Sequence, residues 1–243
     1  MEALGKYFLF LGKLLVNRES FGTYVKLVIG ECMAIGINSI FLVSLVSFFM
    51  GAVTTIQTAY NLVSPLIPDY VISLVVRDMT ILELAPTIIG VIYAGKVGSS
   101  MASGLGTMRI SEQIDALEVM GINSTSYLVL PKLLGSLFMY PLLVILAGLL
   151  SIVGGYLAGQ LTGVITPTEY VYGIRIEFNP YMVTLAMIKS FVFAFLVATI
   201  SSFKGYYTTG GAVEVGKAST SAVTQSVIAI LTADYLLAQL LLK

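Results

Sequence analysis

The chain has no histidine and no tryptophan, and Cys32 is the only cysteine among its 243 residues. The lack of histidine removes imidazole metal sites and any Ser–His or Cys–His nucleophile pair. One cysteine cannot close an internal disulfide. Without tryptophan, tyrosine and phenylalanine must anchor the chain at a membrane interface. Charge is scarce as well. Charged residues make up 11% of the chain, against about 25% in soluble domains. Thirteen basic and thirteen acidic residues cancel, so no bulk field points to nucleic acid. No carboxylate cluster stands at metal-ligand spacing, so neither a metal nor a cofactor is expected, and a membrane-embedded enzyme is disfavoured.

What the chain does have is apolar length. Hydrophobic residues make up 57% of it. The pattern predicts an all-α integral membrane protein: an N-terminal interfacial helix region, then five transmembrane helices with a short charged surface helix among them. Residues 1–28 place Leu4, Tyr7, Phe8, Leu11, Leu14 and Leu15 on one helical face, with Lys6, Lys13 and Asn17 off it. Phe21, Tyr24, Val25 and Val28 repeat the pattern. This predicts one or two helices lying in the interface, not a signal peptide, because Lys13 interrupts the apolar run and no small-residue cleavage site follows.

The membrane bundle is expected over 35–242. Its spans are read at about 35–59, 79–101, 133–161, 182–203 and 221–242, each long enough to cross about 30 Å of hydrocarbon. The Pro65–Asp69 stretch reads as a turn, 162–181 as a polar connector and 204–220 as a glycine-rich loop. Residues 211–218 (GAVEVGKA) nearly match a phosphate-binding loop. Ala218 stands where Ser or Thr would hold magnesium, and no strand precedes the segment, so nucleotide binding is rejected there.

Two ladders of small residues recur every four positions: Ala94, Gly98, Ala102 and Gly106, then Ala147, Ser151, Gly155 and Gly159. Each lets another helix backbone approach closely. The first ladder leads into GTMRISEQIDALEVMG, residues 106–121. Here Arg109, Glu112 and Asp115 follow at three-residue spacing, with Gln113 and Glu118 beside them. Ile110, Ile114, Leu117 and Met120 supply an apolar face, and Gly121 marks a C-terminal stop. From spacing alone, this is either a helix presented to a partner or a solvated helix lying on the headgroups.

Three charges fall inside spans: Glu83, Lys189 and Asp234. Helix rise puts Glu83 and Lys189 at similar depth. A lone charge there costs several kcal/mol, so a Glu83–Lys189 ion pair is expected, with Asp234 nearby or protonated. The pair reads either as a bundle staple or as a gating element. On the first span, Phe48, Phe49, Val53, Gln57 and Tyr60 are candidate ligand-pocket residues; the same spacing fits a packing or lipid-facing side. The basic residues give orientation. Lys6, Lys13, Arg18, Lys26, Lys96, Arg109, Lys132, Lys204 and Lys217 fall on one side, and Arg77, Arg175 and Lys243 on the other. This places the N-terminus and the 109–118 helix in the cytoplasm and the C-terminus on the far side.

The 106–121 motif resembles the signature of the MlaE/YrbE family, the permease subunits of bacterial lipid-transporting ABC systems. Residues 83–91 (ELAPTIIGV) and 189–220 also match its pattern, so the likeness runs from about Phe49 to Asp234. The chain departs from the family at Leu82, where arginine is usual, at Gly104, where glutamate is common, and at Asn123–Ser124, where a proline is common. The resemblance implies one permease domain over residues 1–243 and a coupling helix at 109–118 docked on a cytoplasmic ABC ATPase. It also implies a homodimer, a periplasmic MCE-domain partner and a phospholipid or similar lipid as cargo, moved between the inner membrane and the MCE carrier or outer membrane. The alternative is an ion-coupled secondary transporter or channel using Glu83, Lys189 and Asp234. Against it, no inverted repeat is apparent.

Overall fold

A chain this apolar must satisfy its backbone internally once it leaves water, and helices do so within one segment. The computed structural model describes residues 2–14, 21–62 and 67–241, without the side chains of 2–4 and 21. The side chains of Leu4 and Phe21, and Leu15, Asn17, Arg18, Pro65 and Lys243, used in the sequence reading, lie outside that description. Among the described residues every regular element is helical. They are α1 (Glu2–Lys13), α2 (Phe21–Cys32), α3 (Asn38–Asn61), α4 (Tyr70–Met79), α5 (Ile89–Tyr93), α6 (Ser99–Ile110), α7 (Gln113–Val119), α8 (Ser124–Thr162), α9 (Pro167–Arg175), α10 (Pro180–Tyr206) and α11 (Ala212–Leu241).

Four helical runs are long and apolar enough to cross a membrane: Gly22–Asn61, Ser124–Thr162, Pro180–Tyr206 and Ala212–Leu241. The span expected at 79–101 lies within a continuous helical run, α4 to α6, in which π-helical turns at Thr80–Ile88 and Ala94–Gly98 alternate with α-helix. Pro86 sits inside the first of these. It cannot supply an N–H, and widening of the helix accommodates that loss.

Several boundaries differ from the sequence reading. Residues 21–28 are not a separate interfacial helix: α2 continues through a π turn, Met33–Ile37, into α3. α8 starts at Ser124, well before residue 133. The 162–181 connector contains α9, which begins with a capping box: Thr166 accepts from the Glu169 N–H, and the Glu169 carboxylate accepts from the Thr166 N–H. Reciprocal satisfaction of two orphan donors starts a helix even where mean hydropathy is low. The 204–220 loop is short, because α10 persists to Tyr206 and α11 begins at Ala212. Glu214, Lys217 and Ala218 are therefore helical and form no loop around a phosphate.

The chain divides into two compact units. The first comprises Met1–Asn38, Gly90–Tyr140 and Phe191–Lys243. There the first small-residue ladder is buried at Ala94, Gly98, Ala102 and Gly106. A methyl group on Gly98 would stand 2.7 Å from Ser201 Oγ of α10, and one on Gly205 would strike the Ala102 carbonyl. The small residues thus set the α6–α10 approach, as close packing between apolar helices requires. α1 docks by its aromatic side: Phe10 is buried against Phe203, Tyr206 and Tyr207, and Tyr7 Oη lies 2.7 Å from Thr199 Oγ1. Phe8, assigned to the same face by periodicity, points outward instead, with Leu9.

The second unit comprises Ser39–Ile89 and Pro141–Ser190. α3 and α8 meet backbone to backbone. Gly51 faces the Ser151 carbonyl and Gly154 faces the Phe48 carbonyl so closely that neither has room for a methyl group. At one end Ala59, Ile72, Val76, Ile165 and Tyr170 form a core that seats α9 on α4. Arg77, 2% exposed, reinforces it. Its Nη1 donates to the carbonyls of Ile174 at 2.9 Å and Ile176 at 2.7 Å, and more weakly to Gly173 at 3.4 Å. Its Nε donates to Asp78 Oδ1 at 2.7 Å. Those carbonyls close α9, so a buried cation satisfies the acceptors that the helix end leaves open.

Candidate functional site

α6 does not run smoothly into the charged helix. At its end the Ser111 N–H and Oγ both donate to the Thr107 carbonyl, at 3.1 and 2.8 Å. Glu112 then turns left-handed, φ 59° and ψ 13°, and reorients the chain. α7 follows for seven residues. Its end is closed by Gly121, at φ 78°, whose N–H donates to the Glu118 carbonyl while the Ile122 N–H donates to that of Leu117. This paired bonding around a left-handed glycine is the usual helix stop and needs a residue free of Cβ strain.

α7 is pinned from beneath by Ile114, fully buried, with Leu117 half-buried. Met120, expected on that apolar face, is 65% exposed, and its neighbour Val119 is 88% exposed. Glu112 and Gln113 are exposed, and Asp115 pairs with Arg109 at 2.5 Å. The helix therefore presents carboxylates, an amide and an apolar tip on its outer side.

Glu118 behaves differently. Its Oε1 accepts from Ser124 Oγ at 2.8 Å and from Tyr206 Oη at 3.0 Å, and the two hydroxyl oxygens stand 2.7 Å apart. The hydrogen bond from Ser124 holds this carboxyl below its ordinary range. Tyr206, Arg109 and Lys13 add to the effect, against an opposing contribution from burial. Ser124, Thr125 and Ser126, the first turn of α8, are all buried, and Ser126 Oγ lies 2.6 Å from Tyr24 Oη. Asn123 caps α8 by accepting from the Ser126 N–H, and its amide donates to the Lys13 carbonyl.

In the second unit Lys189, fully buried, donates to Glu83 Oε1 at 2.8 Å and to the Leu82 carbonyl at 2.9 Å. Thr87 Oγ1 lies 3.3 Å from the other Glu83 oxygen. The Glu83 side chain is 47% exposed at the surface of its unit. Asp234 belongs to α11 and to the first unit.

The sequence model described as Permease MlaE matches residues 28–240. The chain belongs to the MlaE permease family. A probable ABC transporter permease of Rickettsia bellii is 34% identical over 242 residues, covering 100% of this chain and 93% of its own. A probable ABC transporter permease of Synechocystis is 31% identical over 239 residues, covering 98% and 88%. The chloroplastic protein trigalactosyldiacylglycerol 1 of Arabidopsis thaliana is 36% identical over 164 residues, 64% of this chain and 44% of its own. This MlaE-family chain is thus a multi-pass membrane permease of the ABC class, and such a permease implies an ATPase partner.

Of the five pocket residues proposed on the first span, Phe49, Val53, Gln57 and Tyr60 lie exposed along α3, and Phe48 is half-buried beside Phe49. Phe49, Val53, Gln57 and Tyr60 share one outward side of α3. A cavity of about 200 Å³ opens elsewhere in the unit, lined among others by Ile81, Ala85, Val144, Gly148, Ala186 and Met187. Sequence reasoning took Arg77 as an outer-side charge and Ser124 only as a departure from the family pattern, and it did not single out Tyr206. Runs of hydroxyl residues such as 124–126 are the signal that could have marked them, because buried hydroxyls need partners.

Proposed function

We propose that this chain is the membrane-spanning subunit of an ABC lipid transporter, a single permease domain in the bacterial inner membrane, working as a homodimer. A separate cytoplasmic ATPase drives it, and a periplasmic MCE-domain protein exchanges lipid with it. The chain itself is non-catalytic. The observation that carries the reading is α7. Glu112, Gln113 and the Val119–Met120 tip project from a short helix whose other side is locked to the protein, which is the form a docking element takes. α7 and the N-terminus face the cytoplasm and the C-terminus faces the periplasm, a reading supported by the distribution of Lys and Arg.

Phospholipid, or another lipid with apolar tails, is the cargo. Support comes from a relative whose name carries that of a glycolipid, and from the outward apolar side of α3 with Phe49, Val53 and Tyr60. Glu83 and Lys189 supply a paired charge within the apolar span, suited to holding a polar headgroup or to gating its passage.

Gentle purification from native membranes tests the reading. A co-purifying ABC ATPase and bound phospholipid are expected. A lone protein whose transport follows a proton or sodium gradient would overturn it. So would labelling of Glu112→Cys from outside intact cells by an impermeant thiol reagent.

A further inference from the structure

We infer that Glu118, Ser124 and Tyr206 form the joint that carries movement of α7 into the membrane helices. This deepens the docking reading above and rests on it. In that reading Glu112, Gln113 and the Val119–Met120 tip meet the ATPase; the geometry gives Glu118 another task. Glu118 is itself exposed, but its carboxylate reaches back onto the first residue of α8 and the last residue of α10. One oxygen accepts from both hydroxyls, at 2.8 and 3.0 Å. The three oxygens make a closed triangle, so displacement of α7 disturbs both partners together.

The joint is stiff where it must be. Ser124 is 2% exposed and Tyr206 7% exposed. Tyr206 packs between Phe10 and Tyr207 in the aromatic cluster that also seats α1. Gly121 at a left-handed φ closes α7 just before the joint, so the chain cannot slide there by extending the helix. Hydrogen bonds to a charged acceptor are the stronger kind and are directional, and directionality lets a short element transmit displacement where greasy contact would slip. The partners touched are the ends of two spans, and one of those spans, α10, also carries Lys189. Glu118, Ser124 and Tyr206 are thus positioning residues for the transport cycle, and Glu112 and Gln113 remain the outward contacts.

The test uses the full permease with the ATPase that co-purifies from native membranes, reconstituted in phospholipid vesicles. Three quantities are read: ATPase retained on the permease, ATP hydrolysed, and fluorescent phospholipid moved per ATP. Tyr206→Phe and Ser124→Ala each remove one oxygen and keep the packing. Both variants should retain the ATPase at the wild-type level, while lipid moved per ATP falls about tenfold, the size expected for losing one hydrogen bond to a charged group. Glu118→Ala should lose as much, and adding Tyr206→Phe to it should cost little more, because the bond is already gone. Glu118→Gln, which keeps an acceptor, should recover part of the transport. Wild-type transport per ATP in both Tyr206→Phe and Ser124→Ala, with the ATPase still bound, overturns this inference and leaves the docking reading intact. Failure of any ATPase to co-purify with the wild type overturns the docking reading instead.

Discussion

The carbonyl of Leu82 lies four residues before Pro86, and Lys189 Nζ donates to it at 2.9 Å. Both residues lie in the π-helical stretch Thr80–Ile88, and the same ammonium that reaches this carbonyl also pairs with Glu83 Oε1 at 2.8 Å, so one lysine ties α10 to that stretch at two points. Lys189 is fully buried and Glu83 is not. Removing the two partners should therefore be unequal in effect. Glu83→Ala strands a buried cation without its counter-charge and should cost about 3 kcal/mol, the bottom of the range for breaking a buried pair, because Glu83 itself is 47% exposed. Lys189→Met fills the same volume without charge and should cost less. Glu83→Lys with Lys189→Glu should melt above the worse of the two single variants in detergent. A double variant no more stable than either single change would show that the contact does not bind the helices.

The α3–α8 contact makes a sharper prediction from glycine alone. A methyl group on Gly154 would meet the Phe48 carbonyl and one on Gly51 the Ser151 carbonyl, both immovable backbone. Gly154→Ala and Gly51→Ala should each destabilise by at least the roughly 1–3 kcal/mol typical of overpacking. Gly148 lies on the same helix α8, and its nearest neighbour for a new methyl is Ala85 Cβ at 3.9 Å. Gly148→Ala should be neutral or mildly stabilising, because alanine is the better helix former. Thermal unfolding of the three variants, measured side by side, checks the ranking.

Arg77 looks like an ordinary outer-side cation in the sequence, yet it is the buried clasp of α9. Its carbonyl partners at Gly173, Ile174 and Ile176 all lie at one helix end. Phe178 covers the guanidinium, with its ring centre 5.7 Å from Cζ. Arg77→Met should release α9 and expose its backbone, at a cost of about 3–5 kcal/mol for buried acceptors left without their cation. Arg77→Lys should recover little, since an ammonium lacks the planar fork that spans several acceptors. Faster hydrogen exchange confined to residues 167–176 is the expected signature, and unchanged exchange there would remove Arg77 from this role.

These contrasts show where the sequence is readable. The small-residue ladders, the membrane spans and the Glu83–Lys189 partnership follow from two rules, helical periodicity and the cost of charge in hydrocarbon. The join of α2 to α3 was hidden because a π turn shifts the periodicity over 33–37 and mimics a break. α9 was hidden because its capping box lies in a polar stretch that reads as a loop. Ser124 and Tyr206 were hidden because a hydroxyl on an apolar helix most often bonds its own backbone, as Thr199 does with the carbonyl of Phe195. Only tertiary contact tells the two cases apart.

Acid should loosen the α7 joint. The Glu118 carboxyl titrates below its ordinary value of 4.5 in the folded protein. A depressed carboxylate contributes stability that is present above the unfolded value and is lost as pH falls through the folded one. The joint should thus be firm at neutral pH and weaken only below the usual glutamate range. Arg109 of α6, Lys13 of α1 and Tyr206 of α10 are the neighbours that favour the charged carboxylate. Anisotropy of a fluorophore at Met120→Cys should fall on acidification, and the fall should be much smaller with Glu118→Gln, which has no proton to gain. Equal falls in both proteins would show that another group controls the segment.

Glu112 separates backbone from side chain. It is one of two non-glycine residues with positive φ among those described, Glu177 being the other. Glycine at this position relieves about 1 kcal/mol of left-handed strain. Glu112→Gly should therefore raise the melting temperature slightly and preserve the turn between α6 and α7. Glu112→Ala keeps the strain and loses the carboxylate. If the exposed carboxylate is what the ATPase grips, both variants should retain less ATPase in a pull-down, and the more stable glycine protein should bind no better than alanine. Strained non-glycine residues persist where they serve a function, and losing the function while gaining stability is the pattern such a site should show. Wild-type retention by Glu112→Gly would mean that the turn alone matters, and that docking falls to Gln113 and the Val119–Met120 tip.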